Sequence, residues 1–161
     1  MSEETSEIKL TVNGDLITKT VNVRQHLVDF LRLELGLTGS HLGCEHGICG
    51  ACSVWVNGLV VRGCLILAVQ ADGMDVTTIE GLTQTGEIAD LQKNFVNRNA
   101  LQCGFCTPGM LMTLAELLRK SELSSREEIR EHISGNYCRC TGYHAIVDAV
   151  ETTIRDRLGE T

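Results

Sequence analysis

The sequence predicts an α+β protein made of two small domains, the first rich in strands and the second helical. Three observations support this prediction. Alternating runs of apolar and polar residues stop near residue 80, apolar residues at helical spacing dominate from residue 88, and the eight cysteines divide evenly between the halves. We therefore expect domains at residues 1–82 and 83–161, each with a modest core that a bound metal centre would stabilise.

The first element is a predicted β-hairpin. Residues 8–12 and 16–23 alternate apolar and polar side chains, and Asn13-Gly14 lies between them. Asn-Gly is typical of a type I′ turn, because both central residues of that turn need positive φ. The spacing of apolar residues then predicts a helix over residues 24–35.

A second hairpin is predicted after a cysteine-rich loop. Its strands are residues 53–56 and 59–61, again joined by Asn-Gly, and a last short strand is expected near residues 75–79. Hairpin, helix, cysteine loop, hairpin and strand is the element order of a β-grasp ferredoxin fold. Trp55, in the second hairpin, is expected to pack in the core or at an interface.

The loop over residues 43–52 carries the most specific signal in the chain. Cys44, Cys49 and Cys52, followed by Cys64, have the C-x4-C-x2-C…C spacing by which plant-type ferredoxins hold a [2Fe–2S] cluster. The glycines between them are Gly43, Gly47 and Gly50. Glycine reaches positive φ and lets the main chain approach a compact anionic cluster. Three closely spaced cysteines with a fourth downstream favour this cluster over a zinc knot or a disulfide scaffold.

The second half predicts a small bundle of four helices after a linker at residues 83–86. The helices are expected over residues 88–100, 108–118, 125–135 and 142–158. Ser125 and Glu128 form the sequence pattern of a capping box for the third helix. Met110 and Met112 are interpreted as core residues rather than copper ligands.

Four further cysteines precede two of these helices. Cys103 and Cys106 come just before the second helix, and Cys138 and Cys140 come just before the fourth. Two helix N-termini would offer unpaired N–H groups and positive dipole ends to one anionic site. The spacing leaves a four-cysteine zinc site open beside a second [2Fe–2S] cluster. A thioredoxin-type redox pair is disfavoured, because no βαβ pattern surrounds it.

Composition argues against several classes of function. The net charge is −7, the fourteen basic residues are scattered, and three Phe, two Tyr and one Trp give no stacking platform, so we expect no nucleic-acid partner. The apolar run at residues 64–69 is too short to span a membrane. The first seven residues lack the segments of a signal peptide, so we expect a cytoplasmic protein, in which cysteines bind metal rather than pair.

No catalytic residue is predicted. The sequence has no G-x-G-x-x-G after a strand and no Walker loop, and none of its five histidines stands in a pair or triad with a nucleophile. His46 lies inside the cluster loop, but four cysteines already complete that ligand set, so we interpret it as a loop residue. These absences favour a subunit over a whole enzyme.

Three motifs together resemble those of the iron–sulfur subunit of the molybdenum hydroxylase (xanthine oxidase) family. They read GCEHGICGAC at residues 43–52, QCGFCTPG at residues 102–109 and GNYCRCTGY at residues 135–143. The resemblance extends from about residue 8 to residue 158 and includes small subunits of carbon monoxide dehydrogenase and of aromatic or N-heterocycle hydroxylases. It implies an N-terminal β-grasp [2Fe–2S] domain followed by a C-terminal four-helix-bundle [2Fe–2S] domain.

The resemblance also implies partners and two further site residues. A large subunit would hold the molybdopterin cofactor near the bundle cluster, and a medium subunit would hold FAD near the β-grasp cluster, in a heterotrimer or a dimer of heterotrimers. Gln102 would approach the pterin, and Cys140 would contact the pterin while ligating iron. The residues alone also leave open a free-standing two-cluster electron carrier and a structural module with zinc in the bundle.

Overall fold

The computed structural model describes residues 4–120 and 125–159, and its N-terminal half is built on one mixed sheet. The strands are β1 (Thr5–Val12), β2 (Asp15–Asn22), β3 (Ser53–Val56), β4 (Leu59–Arg62) and β5 (Asp75–Thr77). Their order across the sheet is β2-β1-β5-β3-β4. Only the β1–β5 pair is parallel, so the two hairpins flank the short strand β5.

Both Asn-Gly sequences form the predicted hairpin turns. Asn13 and Gly14 have φ of 53° and 90°, and Asn57 and Gly58 have φ of 50° and 80°. These positive values are those that a type I′ turn requires. The first strand begins at Thr5, three residues earlier than its alternation predicts.

The helical segments are more numerous than the sequence predicts. They are α1 (Leu27–Asp29), which continues as a π-helical turn (Phe30–Glu34), a 3-10 turn (Ala68–Ala71), α2 (Ile79–Thr85), α3 (Ala89–Asn97), α4 (Thr107–Lys120), α5 (Arg126–His132) and α6 (His144–Leu158). All four predicted helices of the second half are present, and α2 precedes them.

The predicted linker at residues 83–86 is wrong, because α2 continues to Thr85 and ends at Gly86 with φ of 75°. Tertiary packing forms this helix in a sequence with weak local preference. Ile79 and Leu82 are buried, and a Cβ placed on Gly81 would lie 2.3 Å from Asn13 Oδ1. The helix therefore exists because it fits against the first hairpin.

Two apolar cores meet at strand β3. One lies between the sheet and α1, and the other surrounds α4. Trp55 of β3 belongs to the helical core, is 2% exposed, and donates its indole N–H to the Met112 carbonyl at 3.0 Å. The prediction that Trp55 packs in the core or at an interface is confirmed. Met110 and Met112 are buried in the same core, as predicted.

The predicted capping box starts α5. The Glu128 N–H donates to Ser125 Oγ, and the Ser125 N–H donates to the Glu128 carboxylate.

The fold as a whole is α+β, with a β-grasp domain followed by a helical bundle, as predicted. No helix within residues 4–120 and 125–159 has the length and apolar character needed to cross a bilayer.

Candidate metal centres

Strand pairing brings the first four cysteines together. Cys52 directly precedes β3 and Cys64 lies two residues beyond β4, and the Gly63 N–H donates to the Cys52 carbonyl at 3.1 Å. The Cys52 and Cys64 thiols interact and are 2% and 1% exposed. Cys49 lies close enough to Cys52 to act on it electrostatically, and its N–H donates to Cys44 Sγ at 3.4 Å.

The surroundings of the first set favour a thiolate at Cys44 and a protonated thiol at Cys52. The N–H groups of Cys49 and then His46 lower the pKa of Cys44 to about 6. Burial raises the pKa of Cys52 to about 12, although a hydrogen bond from the Cys64 backbone acts to lower it. A metal that binds the full set must therefore displace the proton from Cys52, since iron binds the thiolate form.

The structure requires glycine in this loop for two different reasons, positive φ and close approach of neighbouring atoms. Gly47 and Gly50 have φ of 84° and 76°, which favours glycine. Gly43 does not have positive φ. A Cβ there would lie 3.1 Å from Cys49 Sγ and 3.5 Å from the Phe105 ring, so at Gly43 the demand is close approach rather than a left-handed backbone.

The other four cysteines gather at one end of the bundle. Cys106 is the residue before α4, and Cys138 and Cys140 lie on the loop between α5 and α6. Cys103 Sγ and Cys140 Sγ are 3.6 Å apart, and the Cys106 and Cys138 thiols interact. Burial raises the pKa of Cys106 to about 12, whereas contact with Cys103 raises the pKa of the exposed Cys140.

Within the residues that the structure describes, one helix N-terminus, that of α4, directly adjoins this second set. We expected α6 to start beside Cys140, but it starts at His144, because Tyr143 adopts φ of 67° and turns the chain. Thr141 supplies the donors instead, through its N–H and its hydroxyl, at 3.4 Å and 3.1 Å from Cys138 Sγ. Burial raises the pKa of Cys138, and these bonds outweigh it, so the pKa lies below its ordinary value.

The pairing of the thiols fits the donor set of a diiron cluster. All eight cysteines are free, and each set of four divides into two interacting pairs. The pairs are Cys44 with Cys49, Cys52 with Cys64, Cys103 with Cys140, and Cys106 with Cys138. Two thiolates on each of two irons is what a [2Fe–2S] cluster needs. Among the described residues, no three His, Cys, Asp or Glu side chains gather round one ion position.

Gln102 and Cys140 contact each other. The Gln102 side-chain N–H donates to the Cys140 carbonyl at 3.0 Å, and both residues are exposed at the open edge of the second set. The bond links the 102–109 motif to the 135–143 motif. His46, by contrast, turns its ring nitrogen Nδ1 to the carbonyl of Cys44 within its own loop.

Segments that adjoin the two cysteine sets meet at the junction between the domains. The Tyr137 N–H, next to Cys138, donates to the Cys49 carbonyl at 2.8 Å. Phe105, next to Cys106, lies against Gly43 and stacks on His41 with ring centroids 4.6 Å apart. The Tyr137–Cys49 hydrogen bond therefore joins cysteine-bearing segments of the two domains.

Two polar residues, Arg62 and Asn136, make contacts at this junction that the sequence did not predict. Arg62 donates to the Gly135 carbonyl at 2.7 Å and to Ser53 Oγ. Asn136 is 2% exposed and donates to the Gly50 carbonyl at 3.1 Å. The available signals were weak: Arg62 stands two residues before Cys64, and Asn136 lies inside the third motif. Their partners are distant in sequence, so no local pattern predicts these contacts.

Family models match both halves of the chain. A "2Fe-2S iron-sulfur cluster binding domain" matches residues 10–75, and a "[2Fe-2S] binding domain" matches residues 78–151. The matches agree with the division of the cysteines into two sets of four.

Whole-chain comparisons give the same result. The chain is 53% identical over 148 residues to the caffeine dehydrogenase subunit gamma of Pseudomonas sp. (strain CBB1), covering 90% of this chain and 89% of that one. It is 50% identical over 144 residues to the nicotine 6-hydroxylase small subunit of Paenarthrobacter nicotinovorans, covering 89% and 87%. The fold matches a chain of quinoline 2-oxidoreductase from Pseudomonas putida 86 with a TM-score of 0.89 and 46% identity, covering 98% and 99%. With both halves matched and the relatives covered along nearly their full length, the chain belongs to the iron–sulfur small subunits of the molybdenum hydroxylase family.

Proposed function

We propose that this chain relays electrons from a molybdopterin cofactor on a large partner subunit, through two [2Fe–2S] clusters, to FAD on a medium partner subunit. The observation that carries the proposal is the junction: two sets of four cysteines lie on segments joined by the Tyr137–Cys49 backbone hydrogen bond. Each bound cluster would take up and release one electron at a time.

The chain's own residues hold the clusters and adjust their surroundings. We assign Cys44, Cys49, Cys52 and Cys64 to the first cluster, with the Cys49 N–H directed at Cys44 Sγ. The second cluster is assigned to the other set, which comprises Cys103, Cys106, Cys138 and Cys140. N–H and O–H donors to sulfur favour the more negative, reduced state of a cluster, and burial opposes it.

The exposed edge of each site indicates where a partner would bind. Cys103 and Cys140 are exposed, and Gln102 lies beside them, so we assign this edge to the pterin side of the large subunit. At the first site, Ile48 and Leu65 are 50% and 60% exposed beside cluster ligands. We assign that apolar rim to the FAD subunit.

A permanent subunit explains the surface better than a free-standing carrier does. Phe105 and Leu101 are 48% and 36% exposed beside the second cysteine set. Transient carriers meet their partners through charged surfaces, whereas permanent interfaces bury aromatic and aliphatic side chains. The related proteins are themselves named as subunits of dehydrogenases or hydroxylases.

The arrangement that we propose is a heterotrimer in the cytoplasm, with pairing of two heterotrimers as a further step. Within this chain we propose that residues 1–82 carry the cluster nearer FAD and residues 83–161 the cluster nearer the pterin. Caffeine, nicotine and quinoline, which appear in the names of the relatives, are all N-heterocycles. We therefore propose an N-heteroaromatic substrate for the complex.

The test is anaerobic isolation of the native complex from its source, followed by metal and cofactor analysis. We expect about four irons and four acid-labile sulfides for each copy of this chain. We also expect molybdenum and FAD on co-purifying chains at fixed stoichiometry. Recovery of this chain alone with both clusters would favour the free carrier. Zinc in place of half the iron would favour the zinc module.

A further inference from the structure

The guanidinium of Arg62 lies where the two cluster domains meet. Arg62 ends β4, two residues before Cys64, and pairs across the hairpin with Ser53, which follows Cys52. Its side chain donates to Ser53 Oγ and to the carbonyl of Gly135, three residues before Cys138. One side chain thus contacts segments that carry ligands of both proposed clusters.

Arg62 differs from three arginines of the helical half in the groups that its guanidinium contacts. Arg119, Arg126 and Arg157 each form an ion pair with a carboxylate. Within residues 4–120 and 125–159, no carboxylate lies within ion-pair distance of Arg62, whose partners are a hydroxyl and a carbonyl. The residue is also partly buried, so solvent screens its charge less than it would at the surface.

The surrounding network holds the guanidinium in place. Ser53 Oγ donates to the Gly50 carbonyl at 2.7 Å, and Asn136 donates to the same carbonyl. The Asn136 side-chain oxygen in turn accepts from Thr113 Oγ1 of α4 at 3.0 Å. Ser53, Asn136 and Thr113 are all buried, so the cation is fixed between the domains by a buried polar network.

We propose that Arg62 is a positioning residue that raises the reduction potential of the β-grasp cluster through its uncompensated positive charge. The inference rests on the proposed function, since it requires a cluster on Cys44, Cys49, Cys52 and Cys64. A cluster held there would become more negative by one charge on gaining one electron from a cluster in the bundle. A nearby fixed cation stabilises the more negative state, so electrons move more readily toward the β-grasp cluster.

The experiment is a dithionite titration of the intact, cluster-loaded complex, with the two clusters followed by their separate EPR signals. In Arg62→Gln we expect the equilibrium constant for reduction of the β-grasp cluster to fall about tenfold, which is about 59 mV for one electron. Arg62→Lys keeps the charge and loses the double contact, so we expect its potential to stay near that of the wild type. Arg155→Gln, which removes an exposed cation late in α6, serves as the matched control and should change neither potential.

The variants separate charge from structure. A purely structural role predicts that Arg62→Lys shifts the potential as much as Arg62→Gln, and this result would overturn the proposal, as would an unchanged potential in Arg62→Gln. If Arg62→Gln fails to retain its clusters, the test uses Arg62→Lys. A tenfold fall in the equilibrium constant for reduction of the β-grasp cluster in that variant would contradict a role for charge. Absence of iron and sulfide from the wild type would instead refute the proposed function itself.

Discussion

In the β-grasp half Cys52 and Cys64 are almost fully buried, whereas in the helical half Cys103 and Cys140 are exposed. The difference follows from the elements that carry them. Antiparallel pairing of β3 with β4 buries Cys52 and Cys64 where the hairpin opens, whereas Cys103 and Cys140 lie on loops that precede helices. Phe105 and Tyr137, which adjoin cysteines of the second set, contact His41 and Cys49 of the first domain.

The comparison shows that two sets of four cysteines can be brought together by different kinds of secondary structure. The first site depends mainly on local strand pairing, so it belongs to its own domain. The second lies on loops at one end of the helical bundle, and its outer edge is left for a partner.

The largest effect should come from replacing one ligand in each half. Cys49→Ser should remove the β-grasp EPR signal and about half of the iron while leaving the bundle signal, because the Cys49 carbonyl still accepts from Tyr137. Cys106→Ser should give the reverse pattern. Iron analysis and EPR of both variants check this. Loss of both signals in either variant, with unchanged circular dichroism, would show that the two ligand sets are not separate.

A smaller effect, on stability, should come from Gly50→Ala at the junction. An added Cβ would lie 2.6 Å from both Asn136 Nδ2 and the Gly135 carbonyl, at a residue with φ of 76°. We expect a loss of about 3 kcal/mol in the free energy of unfolding, from strain together with overpacking. Urea denaturation measures it.

Gly58→Ala is the matched control for that variant. Gly58 has nearly the same φ, 80°, but no atom lies within 4 Å of the added Cβ. It should cost about 1 kcal/mol, from backbone strain alone. Equal losses in the two variants would mean that the domains do not pack as closely at Gly50 as the distances indicate.

Residues with local or motif signals were the predictable part of this molecule. The Asn-Gly turns, the Ser125 capping box and the spacing of the eight cysteines are local patterns, and each led to the observed element or grouping. Helix α2 was missed because Gly81, Thr83 and Thr85 have weak helical preference and the helix depends on packing against Asn13.

The junction between the domains was not predictable from local sequence. Arg62 and Gly135 are 73 positions apart, and Asn136 and Gly50 are 86 positions apart. Single side-chain to carbonyl bonds at such separations leave no periodic or compositional trace. Sequence reasoning grouped the cysteines of each candidate site, and the structure was needed to find what joins the two sites.

Trp55→Phe tests the contact between the halves away from the cysteines. The change removes the indole donor to the Met112 carbonyl and weakens the contact with Arg119, whose guanidinium lies 4.0 Å from the ring centroid. We expect a loss of about 1–2 kcal/mol in the free energy of unfolding, with both EPR signals retained. A loss of the bundle signal alone would show that β3 also supports the second site.

The smallest effect should come from the surface of the helical half, where Arg157 of α6 pairs with Asp90 of α3 at 2.6 Å. The bond with Arg157 holds the pKa of Asp90 below its ordinary value, and burial only partly opposes this. A carboxyl whose pKa is lowered by folding stabilises the folded state above its unfolded pKa, near 4, and loses that contribution as the pH falls through its folded pKa. Both side chains are more than a third exposed, so solvent screening limits the contribution to about 0.5 kcal/mol.

Asp90→Asn should therefore lower the free energy of unfolding by about this amount at pH 7. The difference between wild type and variant should shrink as the pH falls from 5 toward 3.5. Urea denaturation of both proteins across that range measures it, and acid loss of the clusters affects the two equally. If the difference in unfolding free energy stays constant with pH, the effect comes from side-chain packing or hydrogen bonding rather than from the charge of Asp90. Neither result changes the contrast between the two cysteine sites, because the Arg157–Asp90 pair lies within the helical half.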